Sequence, residues 1–178
     1  MARSTWARVE GGSPGIALGT LAAVTDTVGL DLVVRTYPSG GPRLRDHGQM
    51  EIAGDLARAA VPAWRVDLEV PAGEHGQAID IVFWGAEEIL AVEVERRMVD
   101  FQAQLRAASV KRDWLAGRHA RPVRIVLAVE DTHRNRLMMA PHAPLIERSL
   151  PAGSRGVMGA IRSGSTLGSD GLLWIRRR

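Results

Sequence analysis

Apolar residues recur along the chain with two different periods, and the switches between them mark out its elements. Residues 3–10, Arg-Ser-Thr-Trp-Ala-Arg-Val-Glu, read as a short helix with Ser4 as its N-cap, stopped by Gly11 and Gly12. Over residues 17–28, Leu18, Leu21, Val24 and Val28 keep helical spacing, and Gly29 ends the run. Leu30 to Tyr37 looks like a strand, and Pro-Ser-Gly-Gly-Pro at 38–42 is the clearest linker. A helix is expected from about Asp46 to Ala60, with Met50, Ile52, Leu56 and Ala59 available for burial and Pro62 as its stop. Residues 64–70 alternate with a period of two, the pattern of a half-buried strand. Residues 78–84, Ala-Ile-Asp-Ile-Val-Phe-Trp, form a mostly buried strand. Gly85 to Glu88 reverses it into an antiparallel partner, Ile89 to Glu95. Asp100 is placed to cap a long helix reaching about Ala116, with Phe101, Leu105, Ala108 and Leu115 as its buried stripe and Gly117 as its end. Val123 to Val129 is another buried strand. One or two helices broken near Pro141 and Pro144, a glycine-rich stretch from Gly153 to Gly171, and a strand at 172–176 complete the chain. There is no internal repeat. The order from Asp46 is helix, three strands, helix, strand, an α/β core.

At 178 residues, 46% apolar and 24% charged, the chain can bury one sizeable core with a small appendage. Its apolar runs are shorter than the roughly 20 residues that span a bilayer, and its start lacks a signal pattern, so cytoplasmic residence without membrane association is expected. The absence of cysteine excludes disulfides and thiolate zinc sites. The net charge of +3 is unevenly spread: five basic against three acidic residues in 1–45, ten against fourteen in 46–130, and eight against three in 131–178. A basic rim around an acidic centre suits a metal-dependent enzyme, or a relic of one, on nucleic acid. An Arg-rich surface in an arginine-biased chain is the plainer alternative. Lys111 is the single lysine among the 23 basic residues.

The chemistry concentrates in the central hairpin. Asp80 lies in its first strand, and Glu93 and Glu95 share one face of the second, each among apolar neighbours. Carboxylates in a buried strand are costly unless paired or holding a cation, and converging ones favour a hard ion such as Mg²⁺ or Mn²⁺. The structural alternative is that one or two of them face solvent or pair with Arg65, Arg96 or Arg97.

This arrangement resembles the PD-(D/E)XK nuclease superfamily, which sets an aspartate on one strand and an acid-x-lysine triplet on the next. Asp80 takes the aspartate place, Glu93 the acid place, and Glu95 stands where lysine belongs. An acid on the preceding helix often joins the metal site in that pattern, and Glu51 is the candidate. The chain as a whole resembles actinobacterial proteins that join an XRE-type helix-turn-helix to a nuclease-like domain. Ser4 to Gly11 resembles the recognition helix, Leu18 to Leu30 the last helices of the DNA-binding domain, and Val99-Asp100-Phe101-Gln102, Leu105 and Lys111-Arg112 the helix after the nuclease-like strands. The resemblance implies a restriction-endonuclease-like αβββαβ core over 44–178 behind a partial helix-turn-helix at 1–37. It further implies DNA as partner, contacted by Ser4, Thr5 and Arg8; a homodimer is compatible with the sequence, which by itself does not set the oligomeric state. Asp80, Glu93, Glu95, Gln102 and Lys111 become the candidate catalytic set, and Glu51, Asp80, Glu93 and Glu95 the candidate ligands of Mg²⁺ or Mn²⁺ in an active form.

Two departures shape the functional expectation. The first two helices of a helix-turn-helix have no counterpart in the sequence, and a recognition helix without them lacks the partner that sets its angle in the groove. A frayed amphipathic terminus is the alternative for residues 4–10. Glu95 reverses the charge of the motif lysine, whose work is to position the attacking water and stabilise charge on phosphorus. Lys111, one helix further on, is the candidate surrogate, although it has a place in the family pattern even beside an intact motif lysine. The leading expectation is therefore a DNA-associated regulatory protein with an inactive nuclease-like domain. The alternatives are an active Mg²⁺-dependent endonuclease using Lys111 and a protein-interaction module without a nucleic-acid role. His47, His75, His119, His133 and His142 show no ligand spacing, Ser163, Ser165 and Ser169 no triad partners, and no phosphate loop with a lysine is present.

Overall fold

The computed structural model describes residues 3–12, 15–30, 32, 47–73 and 77–176, in two compact units, Met1–Tyr37 and Pro38–Arg178. The first unit holds helices α1 (Arg3–Glu10) and α2 (Leu18–Thr27). Helix α1 begins one residue before the expected cap, so Ser4 lies inside its first turn. At the end of α2, Gly29 takes φ +72 while the Leu30 amide donates to the Thr25 carbonyl at 2.9 Å, a Schellman closure that needs a left-handed residue. Leu30 and Leu32 lie outside any strand; the rest of the strand expected at 30–37, and the linker at 38–42, fall outside the described residues.

The second unit is an α/β fold around a mixed five-stranded sheet. Its elements are α3 (His47–Ala59), β1 (Arg65–Pro71), β2 (Ala78–Trp84), β3 (Ile89–Glu95), α4 (Phe101–Ala116), β4 (Val123–Glu130), α5 (His133–Met139), α6 (Ala143–Ser149), α7 (Ser154–Ser163) and β5 (Gly171–Ile175), with a 3₁₀ turn at Ala140–His142. The sheet order is β1-β2-β3-β4-β5, antiparallel from β1 to β3 and parallel from β3 to β5. The switch falls where hairpin connections give way to helical crossovers, as the geometry of parallel pairing requires.

Strand alternation splits the core into two layers. On one face, Ile81, Phe83, Leu90, Val92, Val94, Val126 and Ala128 meet Ile52, Ala53 and Leu56 of α3 and Val157 and Ile161 of α7. On the other, Val82, Ala91, Ile125, Leu127 and Val129 pack with Phe101, Ala108 and Leu115 of α4. The β2–β3 turn is closed by the Gly85 amide donating to the Glu88 carbonyl at 3.0 Å, and a Cβ at Gly85 would run into the Trp64 ring. Trp64 in turn donates its indole N–H to the Ala160 carbonyl at 3.0 Å, which ties the strands to α7. Among the described residues no helix is long and apolar enough to cross a membrane.

Helix α7 is the one element the sequence reading passed over, having taken 153–171 as a glycine-rich connection. Its buried residues Val157, Ala160 and Ile161 keep helical spacing, whereas Gly156 and Gly159 are exposed, and Gly164 at φ +74 terminates it. Burial of the apolar stripe outweighs the roughly 1 kcal/mol that each interior glycine costs relative to alanine. Two substitutions read this balance by chemical denaturation. Ile161→Ala is expected to destabilise the protein by about 2–4 kcal/mol. Gly159→Ala, whose Cβ would meet nothing within 4 Å, is expected to stabilise it by about 0.5–1 kcal/mol.

Candidate functional site

Val92 and Val94 point to the α3 face, so Glu93 and Glu95 point to that of α4, where Glu93 meets Lys111. Alternation breaks at Asp80, between Ile81 on the α3 face and Ile79 on the α4 face, but Asp80 interacts with Lys111 and Glu93 and so belongs to the same side. The two carboxylates expected to share a pocket are thus on one side of neighbouring antiparallel strands. The β2–β3 ladder runs from Trp84↔Ile89 to Ile81↔Val92. Just beyond its end, the buried Asp80 carboxylate accepts the Val94 amide at 2.7 Å, so a side chain takes the bond where the pairing stops.

The cation comes from the helix. Helix α4 starts at Asp100, whose carboxylate accepts the Ala103 amide at 2.9 Å. Its buried residues are Phe101, Ala108, Lys111 and Leu115, which places Lys111 on the stripe that faces the sheet. Lys111 Nζ donates to Glu93 Oε2 at 2.6 Å, with the two side chains 3% and 12% exposed. A buried ammonium needs such a partner, and a charge-assisted bond of this length is the strong kind. Glu93 Oε1 is buried and accepts no hydrogen bond.

Charge in this layer is out of balance. Burial pushes Glu93 up to about 8; the Lys111 ammonium opposes that rise, and the Asp80 and Glu95 carboxylates add to it. Asp80 is likewise raised by burial, against the Val94 amide and Lys111, with Glu69 adding to the rise. Glu69 escaped the sequence reading. It sits on β1 between Leu68, paired with Ile81, and Val70, paired with Ile79, and its backbone is left-handed at φ +50. Such a conformation in a non-glycine costs on the order of 1–2 kcal/mol. The available signal was its place in an alternating strand beside the one carrying Asp80, a pairing that becomes visible only once the strands are aligned.

The connection that follows the acids is held by Asn135 on α5. Its amide group donates to the carbonyls of Arg96 at 2.9 Å and Glu130 at 2.8 Å, and its oxygen accepts the Met98 amide at 3.0 Å. This buried side chain joins the exit of β3 to that of β4 and so sets where α4 begins.

The structure therefore brings together Asp80, Glu93 and Lys111, with Glu95 half-buried at the strand end and Glu69 alongside Asp80. Glu51 lies on α3, which packs on the opposite face of the sheet, and does not figure among the charges shifting Asp80 or Glu93. Gln102 is exposed on the first turn of α4. Among the described residues, no group of three or more His, Asp or Glu side chains is arranged to hold a metal ion. In the first unit, Ser4 and Arg8 are exposed and Thr5 half-buried; Thr5 and Arg8 line a cleft with Val9, Ile16 and Thr20.

A carboxyl group raised in the folded state binds its proton more tightly there than in the unfolded chain. Stability is therefore greatest below the ordinary glutamate range and falls as pH rises towards 8. Glu93→Gln, which keeps the neutral shape, is expected to remove that fall. Urea unfolding from pH 5 to 8 should show wild type losing about 3–4 kcal/mol relative to the variant; parallel curves would mean Glu93 stays ionised throughout. No protein-family model matches the chain, and no curated protein or solved structure matches it significantly.

Proposed function

We propose that the second unit is a PD-(D/E)XK nuclease-like domain of a DNA-associated protein, and that its site hydrolyses phosphodiesters with the ammonium supplied by α4 instead of β3. The observation that carries this reading is the 2.6 Å contact of Lys111 with Glu93, beside Asp80 and on the same face of the sheet. The order α3-β1-β2-β3-α4-β4 and the acids on two antiparallel strands support it.

Asp80 and Glu93 fit a hard divalent cation. Their oxygens are the donors Mg²⁺ and Mn²⁺ take, one of them is buried without a partner, and Mg²⁺ sites commonly use one or two carboxylates together with substrate phosphate. When bound, such a cation neutralises phosphate charge and makes water more acidic. The remaining work belongs to the chain. Lys111 offsets the negative charge that builds on the phosphoryl oxygens and orients the attacking water. A carboxylate at position 95 repels phosphate from the strand end, so the positive charge has to arrive from the helix side. Ser4, Thr5 and Arg8 of α1 belong to the same proposal as DNA contacts.

One observation favours the second reading, a DNA-associated regulator with an inactive domain. Lys111 and Glu93 close on each other at low exposure, which leaves neither group turned to a substrate.

Incubation of plasmid and single-stranded DNA with Mg²⁺ or Mn²⁺ separates the two. The hydrolase reading expects metal-dependent cleavage that falls at least about 100-fold in Asp80→Ala and in Lys111→Ala. DNA retention that weakens steeply with salt, without cleavage, selects the regulator.

A further inference from the structure

The two edges of the sheet are finished differently. On β5 the Leu172 amide donates to the Ala152 carbonyl at 2.8 Å and the Trp174 amide to Ser154 Oγ at 2.9 Å, so the outer side of that strand is occupied. Strand β1 lies at the other edge, with β2 as its one neighbour among the described residues. The Ile89 amide donates to the Pro122 carbonyl at 2.9 Å, so Ile89 and Ala91 turn towards β4 while Leu90 and Val92 turn towards β2. Leu90 and Val92 meet Phe83 and Ile81, which leaves Trp84 and Val82 turned towards Arg65 and Asp67 of β1. The amides and carbonyls of Val66 and Leu68 therefore point outward, and among the described residues no hydrogen bond takes them up. Such a row of main-chain groups is a template for another strand.

The side chains decide which strand fits. Past Leu68, the left-handed Glu69 and then Pro71, which has no amide, end regular pairing, so residues 65–68 are the stretch on offer. Leu68 is exposed, and Arg65 and Asp67 form an ion pair at 3.3 Å with side chains 69% and 46% exposed. A pair that exposed contributes little and exchanges partners at small cost. Trp84 holds both ends in place, since Asp67 accepts its indole N–H at 2.8 Å and the Arg65 guanidinium lies 4.9 Å from its ring centre. A second copy of β1, antiparallel and with Val66 on a two-fold axis, sets Arg65 of each copy opposite Asp67 of the other. These are non-hydrogen-bonded pairs, where facing side chains stand closest. The neighbouring registers that keep the same hydrogen bonds set Arg65 against Arg65 or Asp67 against Asp67, and like charges directly opposite are unfavourable.

We propose that β1 is a homodimerisation edge, where two copies of the chain pair Val66 with Val66 across a two-fold axis and lock the register with reciprocal Arg65–Asp67 bridges. The two sheets then run on as one. The contact is isologous and closes on itself, so it makes a dimer and not a fibre. It is also short, which makes the dimer a weak one. None of this depends on the hydrolase reading.

Sedimentation velocity of the full chain from about 1 to 200 µM is expected to show a reversible monomer–dimer equilibrium. Arg65→Glu and Asp67→Arg, each alone, oppose like charges twice across the axis and should raise the dissociation constant at least about ten-fold. In an equimolar mixture of these two variants, both facing pairs of a heterodimer are again of opposite sign, and dimer is expected to return. Val66→Pro deletes an amide that bonds nothing in β2, so it should abolish the dimer while leaving the circular dichroism unchanged. Wild type that stays monomeric at about 200 µM overturns the proposal. So does a dimer indifferent to both charge reversals, or one that persists in folded Val66→Pro. A mixture that stays monomeric when both variants are folded places the contact elsewhere and ends this register.

Discussion

Burying one ammonium and two carboxylates between a sheet and a helix is the constraint around which the second unit is arranged. Each ion gives up several kcal/mol of hydration on entering such a layer, and only close pairing with further hydrogen bonds offsets it. Lys111 and Glu93 obtain that pairing at 2.6 Å, and Asp80 obtains a main-chain donor from Val94. Burial nevertheless lifts both carboxyl groups above their ordinary range, and the neighbouring acids add to the rise. A hydrophobic isostere would pack the same space at lower cost, so the charges there do not owe their place to stability alone.

Much of the surrounding framework serves to hold that arrangement still. Asp100 caps α4 and sets the phase of the helix, so that position 111 falls on the buried stripe with 101, 108 and 115. Asn135 ties the β3 exit to β4 through three hydrogen bonds, fixing the start of the connection into α4. Further away, the buried Glu88 carboxylate accepts the amides of Leu167 and Gly168 and fastens the segment after α7 to the hairpin turn. Each of these is a polar side chain taking up main-chain groups at the end of an element, where the regular hydrogen-bond pattern stops.

The reading of α7 shows how local signals compete. Glycine content argued for a loop, while Val157, Ala160 and Ile161 at helical spacing argued for a buried stripe, and the stripe prevailed because tertiary burial outweighs the backbone entropy of exposed glycines. The site shows the same tension. Glu51 was attached to the acids by resemblance, yet its helix packs on the far face of the sheet; Glu69 was overlooked, yet it raises Asp80 from the neighbouring strand.

Periodicity and capping, which are properties of consecutive residues, were enough to locate α3, the hairpin strands, α4 and β4, and the α/β class. Composition singled out the only lysine. Which cation meets which acid was decided by the tertiary structure alone. Lys111 is 18 residues from Glu93, and their meeting depends on the crossover that lays α4 on one face of the sheet. No spacing rule within a single element encodes that choice, because it is made by the packing of whole faces against each other and by the cost of leaving a buried charge without its counterpart.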